Sequence, residues 1–354
     1  MRGRIIAFNP QGHAVAQATG TGRGTTVTAN ATAADLSPDR KTLAYFTQDA
    51  KLVLRDLAGS TERAITPSVG GSPVSAAPDC LRWSPDGQRL AFFAQQDKGL
   101  YVTMSTGIAT RIDVPKHARY AKRSGGFLPR TTDPDTPSYQ VASLFTCGRW
   151  LDAGRLVFDR VASMPRSITV NEGQPPADVV PDTTTVAVLD SHKLIDSPER
   201  WEVWDRCGGH IMSTIVKDNA VDPFYVVDPK TVDDARLARP GTVAPPSGKI
   251  PGDGEGVFIP GSCDVLRMGV CSAKCQVKRY SPTTGTFQDL PPTDFRGVKG
   301  PILEPDILTW NPTGTQYAID DFNGNVRIYD LGTGTSKYFL NAGQYSRLLG
   351  WLPS

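Results

Sequence analysis

Short stretches in which apolar and polar residues alternate, each closed by a turn of Pro, Asp and Gly, recur along this chain. Leu36-Ser37-Pro38-Asp39-Arg40 is followed by Thr42-Leu43-Ala44-Tyr45-Phe46, and Trp83-Ser84-Pro85-Asp86-Gly87 by Arg89-Leu90-Ala91-Phe92-Phe93. Trp310-Asn311-Pro312-Thr313-Gly314 precedes Gln316-Tyr317-Ala318-Ile319, and a worn copy, Trp150-Leu151-Asp152-Ala153-Gly154, precedes Arg155-Leu156-Val157-Phe158. Each copy predicts a hairpin. An apolar strand ends at Leu or Trp, Pro sets φ at the first turn position, Asp or Gly completes the turn, and a second strand returns.

A second hairpin follows. Leu52-Val53-Leu54-Arg55-Asp56 turns into Glu62-Arg63-Ala64-Ile65, Leu100-Tyr101-Val102-Thr103 turns near Gly107 into Thr110-Arg111-Ile112, and Val326-Arg327-Ile328-Tyr329-Asp330 turns into Ser336-Lys337-Tyr338-Phe339-Leu340. The repeating unit is therefore four antiparallel strands, here A to D, which is the blade of a β-propeller.

Spacing sets the number of blades. The A–B turns fall near residues 37, 84, 151 and 311. The first interval is 47 residues and the second 67, while the gap of 160 between 151 and 311 leaves room for two weaker blades. Ile211 to Leu237, with Phe224-Tyr225-Val226-Val227-Asp228, and Phe258 to Leu290 fill it. A seventh blade is split between the ends: the chain finishes on Leu348-Leu349-Gly350-Trp351-Leu352-Pro353, the start of another Trp-x-Pro turn, and begins with Ile5 to Ala16, which reads as a C–D hairpin. The expected fold is all-β, a single closed propeller over 1–354 with seven four-stranded blades. The blades fall at about 348–354 with 1–18, 35–66, 80–113, 145–190, 207–238, 258–290 and 306–340. Closing the ring removes sheet edges that would otherwise template aggregation.

Ser-Pro-Asp-Gly followed by a Leu-Ala-Phe strand resembles the TolB-type, WD-repeat-like propeller repeat of bacterial proteins. The resemblance is carried by Ser37-Pro38-Asp39, Ser84-Pro85-Asp86-Gly87 and Pro312 to Gly314, and it extends over about half of the chain. It implies a fold rather than an activity. TolB itself carries an N-terminal α/β domain, for which this sequence leaves no room, so its export-linked role is not carried over. Peptidases with similar propellers carry an α/β-hydrolase domain, and no Gly-x-Ser-x-Gly elbow occurs here.

Composition adds little to this picture. The 354 residues are 39% hydrophobic and 21% charged with a formal net charge of +2, so no global field marks a nucleic-acid binder. Gly (34) and Pro (29) fit a fold of short strands and many turns. No apolar run is long enough for a membrane span.

Candidate chemistry lies in the longer connections. A–B and C–D turns of an antiparallel blade emerge on one face of the disc, B–C and D–A connections on the other. Segments 114–142, 191–206, 241–257 and 291–306 are expected as D–A connections and 163–182 as a B–C connection, so all share one rim, which is the expected binding face. The 114–142 loop holds Lys116, His117, Arg119, Tyr120 and Arg123, basic residues interleaved with an aromatic, which can grip phosphates or an acidic polysaccharide. The 191–206 segment holds Trp201, Trp204 and Arg206. Its tryptophans either stack on a sugar or peptide or seal the seam between blades, and burial statistics favour the seam. Asn323-Gly324 reads as a type I′ hairpin turn rather than part of a calcium loop.

The six cysteines permit fifteen pairings. Cys271 and Cys275 flank a turn and can face each other, Cys263 lies one strand earlier, and Cys147–Cys207 would staple neighbouring blades. An even cysteine count favours an extracytoplasmic or secreted protein, with the cytoplasm as the alternative. The histidines have no recognisable nucleophile or acid partner, and no metal or cofactor motif stands out. The reading that results is a monomeric, non-catalytic binding propeller for a protein or glycan partner. The alternatives are a propeller enzyme (lyase, hydrolase or cyclase) with its site at the channel mouth, and a binder of anionic polymer through 114–142.

Overall fold

In the computed structural model the described residues are 3–9, 14–19, 25–94, 100–104, 107–112, 148–160, 183–197, 201–217, 220–237, 248–252, 256–271, 274–293, 295, 303, 308–320, 325–341 and 347–352. They form seven blades in a ring. Blade 1 joins the two ends of the chain, in the order Arg347–Leu352, Arg4–Asn9, Ala14–Thr19, Thr25–Thr28. Blade 2 is built from Ala31–Leu36, Thr42–Thr47, Leu52–Asp56 and Glu62–Ile65, and blade 3 from Ala76–Trp83, Arg89–Ala94, Leu100–Met104 and Ala109–Ile112. Blade 4 uses Arg149–Trp150, Arg155–Arg160, Thr183–Val188 and Lys193–Ser197. Blade 5 has Trp201–Cys207, His210–Lys217 and Ala220–Val227, with an isolated antiparallel bridge from Tyr225 to Lys249 at the fourth position. Blade 6 uses Gly256–Phe258, Val265–Cys271, Cys275–Ser281 and Thr286–Asp289, and blade 7 Leu308–Trp310, Gln316–Asp320, Asn325–Asp330 and Ser336–Asn341.

The core is divided into as many apolar clusters as there are seams. Phe46 and Leu52 of blade 2 meet Leu81, Phe92 and Tyr101 of blade 3. Further round, Trp150 and Phe158 meet Leu100 and Val102 across the blade 3–4 seam, and Trp201 and Ile211 meet Val157 and Val186 across the blade 4–5 seam. Val265 and Phe258 meet Trp204 and Phe224, Leu266 and Val277 meet Trp310 and Tyr317, and Ile328 and Phe339 meet Ile5 and Trp351. Ile6 and Phe8 against Leu43 and Tyr45 complete the circle. A blade buries both faces of its sheet only when it has two neighbours, so closure of the ring carries much of the apolar burial.

Closure itself comes from one strand. Arg4 to Phe8 pairs antiparallel with Leu352 to Arg347 on one side and with Thr19 to Val15 on the other. The N-terminal hairpin is thus B–C rather than the expected C–D, with the C-terminal strand as A and Thr25–Thr28 as D. The D strand escapes a reading by hydrophobic alternation because it is Thr-Thr-Val-Thr, exposed or half-buried throughout. The closing strand is also held from blade 2: Arg40 Nη1 donates to Trp351 O at 2.7 Å and to Trp310 O at 3.4 Å, tying blades 7, 1 and 2 at the A–B rim.

Two of the expected loops are strands. Segment 191–206 contains Lys193–Ser197, strand D of blade 4, and most of Trp201–Cys207, strand A of blade 5, so blade 4 extends beyond residue 190 and blade 5 begins before Cys207. Within 241–257, Lys249 takes the D position of blade 5 and Gly256 already starts strand A of blade 6. The stretch after Val227 instead packs on the A–B rim. There Arg155 Nη2 donates to Pro229 O at 2.7 Å and Nη1 to Val232 O, while Val232 and Leu237 are buried against blade 4.

Candidate functional site: the inner strands and the two rims

Strand A comes first in every sheet, and the A strands touch one another: blade 1 with blades 2 and 7, blade 2 with blade 3, blade 4 with blade 5, blade 5 with blade 6. They therefore surround the axis, each presenting an edge that no fifth strand covers. Backbone groups on such an edge need other partners.

Two carboxylates meet that need in the same way. Asp35, in strand A of blade 2, accepts a hydrogen bond from Trp83 N at 2.7 Å, the last residue of strand A in blade 3. Asp205, in strand A of blade 5, accepts from Phe258 N at 2.6 Å, the last residue of strand A in blade 6, and from Arg206 N at 2.7 Å. The register is equivalent in each case: Asp35 faces Ala44, two positions before the Ser37–Thr42 pairing that leads into the turn, and Asp205 faces Met212, two positions before the Cys207–His210 pairing. Arg82 and Arg149 hold the same position in blades 3 and 4, opposite Ala91 and Val157. Four consecutive blades thus carry acid, base, base, acid around the axis.

Burial outweighs these favourable partners. Asp35 is pushed above the ordinary carboxylate range by desolvation, although Arg347 and Arg82 pull it down. Arg347 is buried and binds Asp35 Oδ1 at 3.0 Å and Ala34 O at 3.1 Å. Asp205 is pushed up to about 6 by desolvation, against the bonds from Phe258 and Arg206 and the charges of Arg149 and Arg206. Arg206 is lowered to about 10, again by desolvation. Among the described residues there is no group of three or more His, Cys, Asp and Glu side chains able to hold a metal ion.

Lys116, His117, Arg119, Tyr120 and Arg123 lie outside the described residues. So do Cys147 and the Asn323-Gly324 turn, though the strands flanking that turn pair antiparallel. Trp201 is fully buried in the blade 4–5 seam, where its N–H donates to Thr184 Oγ1 at 3.0 Å and its carbonyl accepts from the same hydroxyl at 2.9 Å. Trp204 is buried in the blade 5–6 seam, its Nε1 donating to Gly256 O at 2.8 Å and its ring meeting Phe224 edge-on at 5.3 Å. Both tryptophans take the seam role, because strand A of blade 5 carries them between sheets and not on a loop. Arg206 stands near the end of that strand, beside the A–B turn, on the rim opposite the one expected for it.

Cys207 is bonded to Cys263 of blade 6, across a sequence separation of 56, which replaces the Cys147–Cys207 staple considered from sequence. The reason is the tight A–B turn Gly208-Gly209, with φ of 54° and 85°, which brings strand A of blade 5 against the Ile259–Asp264 turn of its neighbour. A Cβ on Gly208 would stand 2.8 Å from Cys263 Sγ, so only glycine fits there. Cys80 and Cys275 are also disulfide-bonded, and Cys271 and Cys275 oppose each other in register. Asp205 and the Gly-Gly turn were overlooked in sequence, and Arg206 was placed on a loop rather than on strand A of blade 5. The signal that could have found them is the Gly208-Gly209 pair four residues after Trp204, a hairpin turn in its own right.

This arrangement makes the chain a seven-bladed β-propeller. Solved structures similar to it include TolB from Acinetobacter baumannii, at 14% identity over 99% of this chain and 67% of that one with a TM-score of 0.42. A functionally unknown protein from Desulfotomaculum acetoxidans DSM 771 is similar at 10% identity over 98% and 99% of the two chains, TM-score 0.45. A proposed 6-phosphogluconolactonase from Bacteroides fragilis NCTC 9343 is similar at 12% identity over 99% and 97%, TM-score 0.44. At such identities the likeness is one of fold, which the chain's own sheets establish. No family model matches the chain, and no curated protein matches its sequence.

Proposed function

We propose that this protein is a binding propeller that engages a protein or glycan partner with the rim carrying its B–C and D–A connections. The observation that carries the reading is the strand parity. Segment 113–147 joins strand D of blade 3 to strand A of blade 4, 161–182 joins strands B and C of blade 4, and 290–307 joins strand D of blade 6 to strand A of blade 7. All three leave the disc on one side, and two of them are neighbours. The two carboxylates at the inner strands are committed to tying blades together, which fits a scaffold for those loops. The disulfide between blades 5 and 6 supports a location outside the cytoplasm.

The test replaces 114–142 with a short Gly-Ser linker and compares both proteins on a glycan array, with circular dichroism melting as the control for folding. The expected outcome is an unchanged melt and loss of the native protein's glycan signals. Retention of those signals by the linker variant would remove 114–142 from the site. The basic residues of that loop favour a second reading, an anionic polymer. It predicts heparin binding that weakens steeply with salt and falls further in Arg119→Ala/Arg123→Ala; salt-independent binding would exclude it.

A further inference from the structure

Cys80 is disulfide-bonded, and its partner follows from where the other cysteines stand. Cys207 and Cys263 are joined to each other, which leaves Cys147, Cys271 and Cys275. Cys271 and Cys275 oppose each other in register on strands B and C of blade 6. Opposed residues of an antiparallel pair have Cα atoms about 4.5–5.5 Å apart, a spacing that a disulfide can bridge. Cys275 is bonded too, and it is buried with Trp310 and Tyr317 on the side of its sheet that meets blade 7. Blade 3 lies in the other direction round the ring, beyond blades 5 and 4. Cys271 and Cys275 therefore account for each other.

Cys80 belongs to a different seam. It is buried between blades 3 and 4 with Trp150, Leu156 and Phe158. Trp150 Nε1 donates to Arg82 O at 3.1 Å, which links the turn ends of the two inner strands. Both strands run towards the A–B rim, and a strand rises about 3.3 Å per residue. Cys80 stands two residues before Arg82, and Cys147 three before Trp150. This seam also has the least to hold it at the axis. Strand A of blade 4 is Arg149–Trp150, the shortest inner strand among the described residues, with two pairings to strand B. Where blades 2 and 5 carry an aspartate that ties the next blade, blade 3 carries Arg82, whose guanidinium cannot accept a hydrogen bond.

We propose that Cys80 and Cys147 form an oxidation-dependent clip that joins strand A of blade 3 to the end of the 113–147 connection. The bond forms by exchange with a disulfide oxidant. One thiolate attacks a sulfur of the oxidant, the second thiol displaces it from the mixed disulfide, and the oxidant leaves as its dithiol with both electrons and both protons. The clip closes the connection between blades 3 and 4 into a covalent loop rooted on the inner strands. Its bearing on binding rests on the reading above, since this is the connection proposed for the partner; the bond itself does not.

The experiment is a peptide map of the full chain, produced in an oxidising compartment and treated with a thiol-blocking reagent before digestion. Trypsin cuts after Arg63, Arg82, Arg130 and Arg149, which puts Cys80 in peptide 64–82 and Cys147 in peptide 131–149, and a cut after Lys274 separates Cys271 from Cys275. Mass spectrometry should find 64–82 joined to 131–149, and reduction should part them. Cys80→Ser/Cys147→Ser should lose the linked pair, keep the Cys207–Cys263 bond and melt about 5 °C below the native protein. Peptide 64–82 joined to a blade 6 peptide, or Cys80 and Cys147 both recovered as blocked thiols, would overturn the proposal. So would a double variant that melts with the native protein, since the seam would then not depend on the clip. The native map decides the pairing even should the variant fail to fold, and it is independent of the glycan array, so failure of the binding reading and failure of the clip are told apart.

Discussion

The seam between blades 2 and 3 and the seam between blades 5 and 6 do the same work with different materials. In the first, Phe92 stacks on Tyr101 and meets a tilted Phe46, with ring centroids 5.7 and 4.9 Å apart. Both A–B turns there are the Ser-Pro-Asp form, in which Ser37 donates to Asp39 at 2.6 Å and accepts from Thr42 N at 2.9 Å, and Ser84 repeats the pattern with Asp86 and Arg89 N. In the second seam the turn motif is gone. A Gly-Gly hairpin replaces it, and a disulfide, the Trp204–Gly256 hydrogen bond and Arg267 over the Phe224 ring hold the sheets together. One device is common to both: a strand A carboxylate bonded to the last strand A amide of the next blade. The difference teaches that the repeat can lose its turn and much of its apolar filling, provided that edge amide keeps an acceptor and other ties take over the seam.

The comparison can be broken at its strongest point first. Phe92→Ala removes the ring at the centre of the apolar seam, and a loss of about 4 kcal/mol is expected in denaturant unfolding. A loss below about 1 kcal/mol would mean that aromatic packing is not what holds blades 2 and 3. Next comes the covalent tie. Cys207→Ser together with Cys263→Ser should cost about 3 kcal/mol, while the same reductant that destabilises the native protein leaves this double variant's Cys207–Cys263 seam with nothing further to lose. An unchanged midpoint in the double variant would show that the polar contacts alone suffice.

The smallest effect separates the two carboxylates' surroundings through pH. Asp205 has a folded pKa near 6, above its ordinary value of 3.8, so the folded state holds a proton that the unfolded state has released between those limits. Its contribution to stability is fully present below pH 4 and is lost as pH rises to about 6. Because the residue keeps partial exposure, the change should be about 1–2 kcal/mol rather than the full amount for two pKa units. Asp205→Asn should flatten the stability profile between pH 4 and 6 relative to the native protein. Parallel profiles would show that the carboxyl is not desolvated as the fold implies.

The four-strand period, the propeller and the pairing of the two chain ends were legible in the sequence, because strand alternation and Pro-containing turns are local signals that several blades repeat. The exceptions follow one physical rule. Blade 5 was misplaced because its strand A, Trp-Glu-Val-Trp-Asp-Arg-Cys, mixes charges into a strand buried between two sheets, and local alternation cannot show that Asp205 will find an amide of the next blade. For the same reason the N-terminal hairpin was legible as a hairpin, but its rank as B–C depended on a partner more than three hundred residues away along the chain. The disulfide partner of Cys207 and the seam positions of both tryptophans likewise depend on which blades become neighbours. Local sequence sets the units through backbone propensity and burial pattern. Only ring closure decides which edges, charges and thiols meet, since those contacts join residues that no short window contains.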